Sequence, residues 1–229
     1  MILLRLGSIV AGAGLAALVF QLPVFAVTSV EVTGLDRIAR EPLLQRLSLE
    51  GRNLLTISPE DAIAPLRQEP WVRDIRLQRQ LPGRVVVDIE ERRPSAVWQV
   101  SGRFFAIDRD GTILEELAGA GSLPGITDLD GGLPSPGDRR DAGAVELATR
   151  LTALVPQELG EPVRSYEYLS HGGLVVETET GKRARFGDAS DAVRKLAVWK
   201  AVLQGAQAAN LKAGHVDLRF GDRPFFRPQ

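Results

Sequence analysis

Pro70-Trp71-Val72-Arg73-Asp74-Ile75-Arg76-Leu77-Gln78-Arg79-Gln80-Leu81-Pro82-Gly83-Arg84-Val85-Val86-Val87-Asp88-Ile89-Glu90 is the stretch on which the fold of this chain turns. Trp71 to Arg79 and Arg84 to Glu90 are β-rich runs, and Leu81-Pro82-Gly83 separates them with the two strongest turn residues. In the second run Val85, Val87 and Ile89 alternate with Val86, Asp88 and Glu90, so a hairpin with one buried face is predicted. Upstream, Ser58 before Pro59 reads as an N-cap with proline at the first helical position, and Ala62, Ile63 and Leu66 give that helix an apolar stripe as far as Pro70. Ile38 to Leu49 supplies an earlier helix with Pro42 near its start, and Val30 and Val32 a strand that turns at Gly34. Strand, helix, helix, strand, strand over residues 28–94 is an α+β unit whose two helices cover one face of a small sheet.

Before this unit, Leu6 to Val27 contains 22 residues and no charge. At about 1.5 Å per helical residue such a run crosses a hydrocarbon core of about 30 Å. Arg5 precedes it and Glu31 is the first charge after it, so a short cytoplasmic tail at residues 1–5, a transmembrane helix at 6–27 and an exported remainder are expected. The competing expectation is a signal peptide cut after Ala26. Ser8, Gly12 and Ala16 fall at i, i+4 and i+8, a row of small residues that admits a second helix. Lys plus Arg number 28 against 29 Asp plus Glu, so charge attraction alone does not select a nucleic acid or any other partner. There is no cysteine, which removes disulfides, thiol nucleophiles and Cys-ligated zinc, and the two histidines are too few for a multi-His metal site. No cofactor is called for.

From Ser95 the pattern changes to short strands with two helices, a second domain over residues 95–229. Trp98 to Val100, Arg103 to Ile107 and Thr112 to Leu114 form a meander around Ser101-Gly102 and Asp108-Arg109-Asp110-Gly111. Leu123-Pro124-Gly125 marks a turn and Gly131 to Asp141 a surface loop. Ala144, Leu147, Ala148, Leu151, Leu154 and Val155 recur at helical spacing and are expected to end at Pro156. Val163 to Leu169, Leu174 to Thr178 and Arg183 to Phe186 read as strands; Lys182, Arg183 and Arg185 mark the outer face of an edge strand. Ala192, Leu196, Trp199 and Leu203 line the second helix. Val216, Leu218 and Phe220 then alternate with Asp217 and Arg219 in a last strand, expected at a sheet edge.

Pro70-Trp71-Val72, Arg79-Gln80-Leu81-Pro82-Gly83 and Val87-Asp88-Ile89-Glu90-Glu91-Arg92-Arg93-Pro94-Ser95-Ala96-Val97-Trp98, just outside a membrane anchor, resemble the POTRA domain and exit segment of the FtsQ/DivIB family of bacterial cell-division proteins. The resemblance implies an N-terminal transmembrane helix, a β-α-α-β-β POTRA domain and a mixed β-sheet domain with two helices. It further implies a non-enzymatic, essential protein of the inner (plasma) membrane, single-pass and type II, which links early and late division proteins at the septum. Its immediate partners would be FtsB and FtsL (DivIC-type), with FtsW and FtsI reached indirectly and septal peptidoglycan synthesis controlled through them. The POTRA-like unit resembles the part that recruits the protein. Asp217, Leu218, Arg219 and Phe220 match the family's C-terminal Asp-Leu-Arg segment, where FtsB docks. The cytoplasmic tail is shorter than in many relatives.

One motif points elsewhere. Phe104 to Thr112 is an apolar strand running into Asp108-Arg109-Asp110-Gly111-Thr112, the pattern of an aspartyl nucleophile and a neighbouring acid on Mg²⁺ in a periplasmic phosphatase. Asp188 and Asp191 would be the later acids and Lys182 a charge stabiliser. The competing reading is an Asp-Gly hairpin turn, with Asp188 or Ser190 capping the following helix; such enzymes also need βαβ units, which residues 112–186 do not advertise. His171, beside Gly172-Gly173, reads as a turn residue with no carboxylate nearby, and Glu90-Glu91-Arg92-Arg93 as a solvated connection with paired charges.

Overall fold

The computed structural model describes residues 23–211, 213–220 and 225–228. The apolar run before Pro23 and its row at Ser8, Gly12 and Ala16 lie outside the described residues. Contacts divide the chain between Arg92 and Arg93 into two compact units.

The first unit runs β1 (Ser29–Thr33), α1 (Arg40–Leu47), α2 (Pro59–Ile63), β2 (Val72–Gln80) and β3 (Arg84–Glu91). Its sheet has the order β1-β3-β2, with β1 parallel and β2 antiparallel to β3. The valines of β3 explain the order: Val85 and Val87 are fully buried and Ile89 nearly so, as a central strand requires. Leu43, Leu47, Ala62, Ile63 and Leu66 from the helices join them in one core. Ser58 caps α2 as expected, its hydroxyl accepting from the Asp61 N–H at 3.4 Å. Both helices are shorter than predicted; α2 gives way to a 3-10 turn, Ala64–Leu66, with Pro65 inside it, well before Pro70.

Pro23–Val27, placed at the end of the membrane run for want of charge, instead belong to this unit. Val27 is 2% exposed and sits in its core. The Phe25 carbonyl accepts from Leu54, and Val27 exchanges backbone bonds with Arg52 and Gly51. An uncharged run serves equally as a core lead-in and as lipid-facing chain, and hydropathy alone does not separate them. Among the described residues no helix is long and apolar enough to cross a membrane.

The second unit contains β4 (Pro94–Val100), β5 (Arg103–Asp108), β6 (Ile113–Leu117), β7 (Gly125–Asp128), α3 (Ala142–Leu159), β8 (Val163–Leu169), β9 (Gly173–Thr178), β10 (Arg183–Gly187), α4 (Ala192–Ala208), β11 (Ala213–Asp217) and β12 (Phe225–Pro228). They form one mixed sheet in the order β12-β11-β10-β9-β8-β7-β4-β5-β6. β7 is parallel to β8 across α3, and β10 to β11 across α4, so two βαβ crossovers lie in the chain. The sequence reading missed β7 and with it the first crossover. Both helices share one core with Trp98, Phe105, Ile126, Val176 and Phe186, on one face of the sheet. Gln99, Thr127, Glu167, Arg185 and Asp217 stand in register across the strands on the other face.

Four expectations change here. α3 continues past Pro156 to Leu159 and stops at Gly160, whose N–H returns to the Pro156 carbonyl and whose φ of 74° suits glycine. β10 is interior, not an edge, because β11 pairs with it in parallel. α4 is preceded by Asp191, which makes no side-chain cap; Asp188 instead accepts from Ser190 and Lys195. Finally, the last predicted strand, Val216 to Phe220, ends at Asp217, and it is not the edge: β12 pairs antiparallel outside it, Asp217 opposite Phe225.

Candidate partner-binding surface

Of the four residues singled out by sequence, Asp217 ends β11 and Leu218, Arg219 and Phe220 follow it, and they do four different things. Leu218 is 1% exposed, belongs to the core and donates its N–H to the Arg185 carbonyl at 2.8 Å. Asp217 is buried, and its carboxylate accepts from the Arg219 N–H at 3.1 Å and from Arg219 Nε and Nη2 at 3.0 and 2.7 Å. Burial pushes the Asp217 carboxyl up, but these bonds and the charges of Arg219 and Arg185 outweigh it and hold it below the usual range. The Arg219 guanidinium also lies 5.4 Å from the centre of the Phe220 ring. Its stem runs over Gly187, where a Cβ would meet Cγ of Arg219 at 2.8 Å. Phe220 itself is 63% exposed.

Alternation therefore fails at its last step. Val216 and Leu218 close the core, whereas Phe220 sits in a turn and faces solvent. Sequence reasoning also missed Phe225, 60% exposed on β12. The signal was the pair Phe225-Phe226 between Pro224 and Pro228, too short and too proline-bound to read as a strand. Two exposed phenylalanines, Phe220 after the Asp217–Arg219 ion pair and Phe225 on β12, thus stand at the outermost strand pair of the sheet, where β12 leaves one backbone edge unpaired among the described residues.

The phosphatase pattern does not come together. Asp108 is 2% exposed, and its carboxylate accepts the N–H groups of Asp110 and Thr112 at 3.0 and 2.7 Å, which fixes the β5–β6 turn. Gly111 has φ 78° and packs against the Arg140 carbonyl, completing the turn. Asp188 follows β10, five strands away from β5, a lateral separation of about 24 Å at the usual strand spacing. Among the described residues no group of three or more His, Asp or Glu is placed to hold a metal ion. His171 does have a neighbouring carboxylate after all: Asp130 is bonded to the N–H and hydroxyl of Ser170 and stabilised by His171. In the connection, Glu90 pairs with Arg73 at 3.6 Å, while Glu91 accepts the N–H groups of Asp36, Arg37 and Ile38 at 2.9, 2.9 and 3.0 Å. Lys182 is engaged by Glu161, whose carboxyl burial raises but whose bonds to Lys182, Thr180 and Thr178 bring down to about 2.

Comparison with known proteins fits both units. The profile described as POTRA domain, FtsQ-type, matches residues 25–92, and that described as cell division protein FtsQ/DivIB, C-terminal, matches residues 96–219. The chain belongs to the FtsQ/DivIB family of cell division proteins. Its relatives include the cell division protein FtsQ of Chloroflexus aurantiacus, 30% identical over 176 residues, which are 76% of this chain and 65% of that protein. FtsQ of Chloroflexus aggregans is 31% identical with the same coverage. DivIB of Clostridium botulinum is 21% identical over 218 residues, 93% of this chain and 85% of that protein. The chain thus spans just under two thirds of the length of the two Chloroflexus relatives. The FtsQ-type POTRA match begins at Phe25, in agreement with the backbone bonds that tie Phe25 and Val27 to the first unit.

Proposed function

We propose that this chain is a non-enzymatic, single-pass type II protein of the inner membrane at the division septum, which binds FtsB and FtsL outside the cytoplasm. Residues 1–5 would be cytoplasmic, the span would begin at Leu6 and end before Pro23, and the POTRA-like unit would serve recruitment. Through FtsB and FtsL it would act on FtsW and FtsI and so on septal peptidoglycan synthesis. Membership of the family supports the division role, and the uncharged run supports the anchor.

The observation that carries the docking is the β11–β12 margin, with its open backbone edge and exposed Phe220 and Phe225. A partner segment adding as the next strand would gain main-chain bonds from that edge and specificity from pockets around the two rings. Asp217, Leu218 and Arg219 would shape the turn that presents Phe220.

The test is titration of the full chain, in lipid nanodiscs, with the extracytoplasmic segment of FtsB. Phe220→Ala is expected to weaken binding about tenfold or more, as truncation of an aromatic anchor does, with an unchanged circular dichroism spectrum. Wild-type affinity in Phe220→Ala and in Phe225→Ala would place the docking surface elsewhere.

A further inference from the structure

The tip of the β2–β3 hairpin and the segment leading into the first unit form a single surface. Gly83 lies against Ala26 so closely that a Cβ there would stand 2.4 Å from the Ala26 carbonyl oxygen. The Gly83 carbonyl in turn accepts the Thr28 N–H at 2.8 Å and the Thr28 hydroxyl at 3.3 Å. This seam leaves apolar side chains outward on both partners, Leu81 67% exposed at the tip and Val24 54% exposed on the lead-in. Pro82, next to Leu81 at the tip, is exposed as well. Arg52, in the connection between α1 and α2, accepts the Val27 N–H on its carbonyl at 2.8 Å; it is exposed beside the lead-in, and its guanidinium has no hydrogen bond or ion pair among the described residues.

The occupant of this surface is indicated by the chain beyond it. The uncharged run that starts at Leu6 arrives at Pro23, three residues from the Ala26 that Gly83 touches, so chain geometry keeps the end of that run within about 20 Å of Leu81. We infer that Leu81, Pro82 and Val24 rest in the interfacial layer of the bilayer, with Arg52 reaching a lipid phosphate. This rests on the reading of the run as a membrane span. Apolar side chains at the headgroup boundary beside an unpaired cation match the chemistry of an anionic lipid surface. Because Gly83 is locked to Ala26, the contact is made by a rigid corner of the unit and not by a loose loop, and it fixes the unit's tilt on the membrane.

The chain contains no cysteine, so single labels are available without removing native residues. Full-length Leu81→Cys and, at the opposite end of β3, Asp36→Cys would each carry an environment-sensitive fluorophore. Both go into vesicles of phosphatidylethanolamine and phosphatidylglycerol containing lipids spin-labelled near the headgroup. The two positions are separated by roughly 20 Å along the strand. The label at Leu81 is expected to be quenched about threefold or more than that at Asp36, the depth of an interfacial contact. Equal quenching in protein that floats with the vesicles overturns the tip contact and leaves the anchor standing. Protein that fails to float overturns the anchor and the contact with it. A shifted but unquenched label at Leu81, lost on dilution to one protein per vesicle, would assign the surface to a second copy instead.

Discussion

Two hairpins carry exposed apolar side chains, β2–β3 with Leu81 and β11–β12 with Phe220 and Phe225, and they are held in opposite ways. The first is fastened at both ends by distant parts of the chain. Its tip is seated on Ala26 through Gly83, and its base is fixed by Glu91, which gathers the backbone N–H groups of residues 36, 37 and 38. Beyond Leu218 and the stem of Arg219, which rest on β10 at Arg185 and Gly187, the second is fastened by its own neighbours: Asp217 grips Arg219, two residues on, and Arg219 covers Phe220. Long-range fastening makes a fixed corner, which suits a surface that must keep one orientation. Local fastening lets the turn reshape at small cost to the rest of the sheet, which suits a surface that adapts to a partner strand.

The comparison is easiest to break at Leu218. This core side chain ties the second turn to the sheet, so Leu218→Ala should cost roughly 2 to 5 kcal/mol and spread hydrogen exchange over β10, α4 and β11. Confinement of the change to residues 217–220 would mean that the turn is not anchored through this side chain. Gly83→Ala comes next: the added methyl must push the tip off Ala26, at about 1 to 3 kcal/mol, with faster exchange at Thr28 and unchanged exchange in the second unit. Wild-type protection at Thr28 would show the seam to be yielding.

Glu91→Gln is the smallest and the most specific. A glutamine oxygen accepts fewer of the three bonds and carries no charge, for a loss of about 1 kcal/mol at neutral pH, read as faster exchange at residues 36–38. Burial raises the Glu91 carboxyl, but the three backbone bonds and the charge of Arg37 bring it below the ordinary value of 4.5. A depressed carboxyl stabilises the fold above its unfolded pKa and stops doing so as pH falls through the folded one. The gap between wild type and Glu91→Gln should therefore be constant at neutral pH and close below pH 4.5. A gap that persists at pH 3 would assign the effect to shape and not to charge.

The first hairpin was legible because everything that defines it is adjacent in the chain: Val85, Val87 and Ile89 alternate beside a Leu-Pro-Gly turn. The same holds for Ser58 as a cap and for the bounds of β8. Glu91 was not legible as a fastener, because its partners are backbone groups more than fifty positions away. Parallel pairing hid β7, four residues whose neighbours β4 and β8 are reached without a local turn. At the candidate site, period-2 alternation placed Val216, Asp217 and Leu218 correctly with respect to the core but could not register that the strand had ended before Phe220. The margin itself was hidden by β12, since edge status depends on what pairs outside a strand and not on its own residues.

The crossover through α4 has a consequence for timing. β11 can join the sheet only once β10 is in it and α4 has crossed its face, and β12 joins only through β11. Such non-local pairings form late, after the loop-closure entropy of the crossover has been overcome. A partner that adds a strand to β12 would therefore find its template only on molecules whose sheet is already complete through β11, so that association and quality control become the same event.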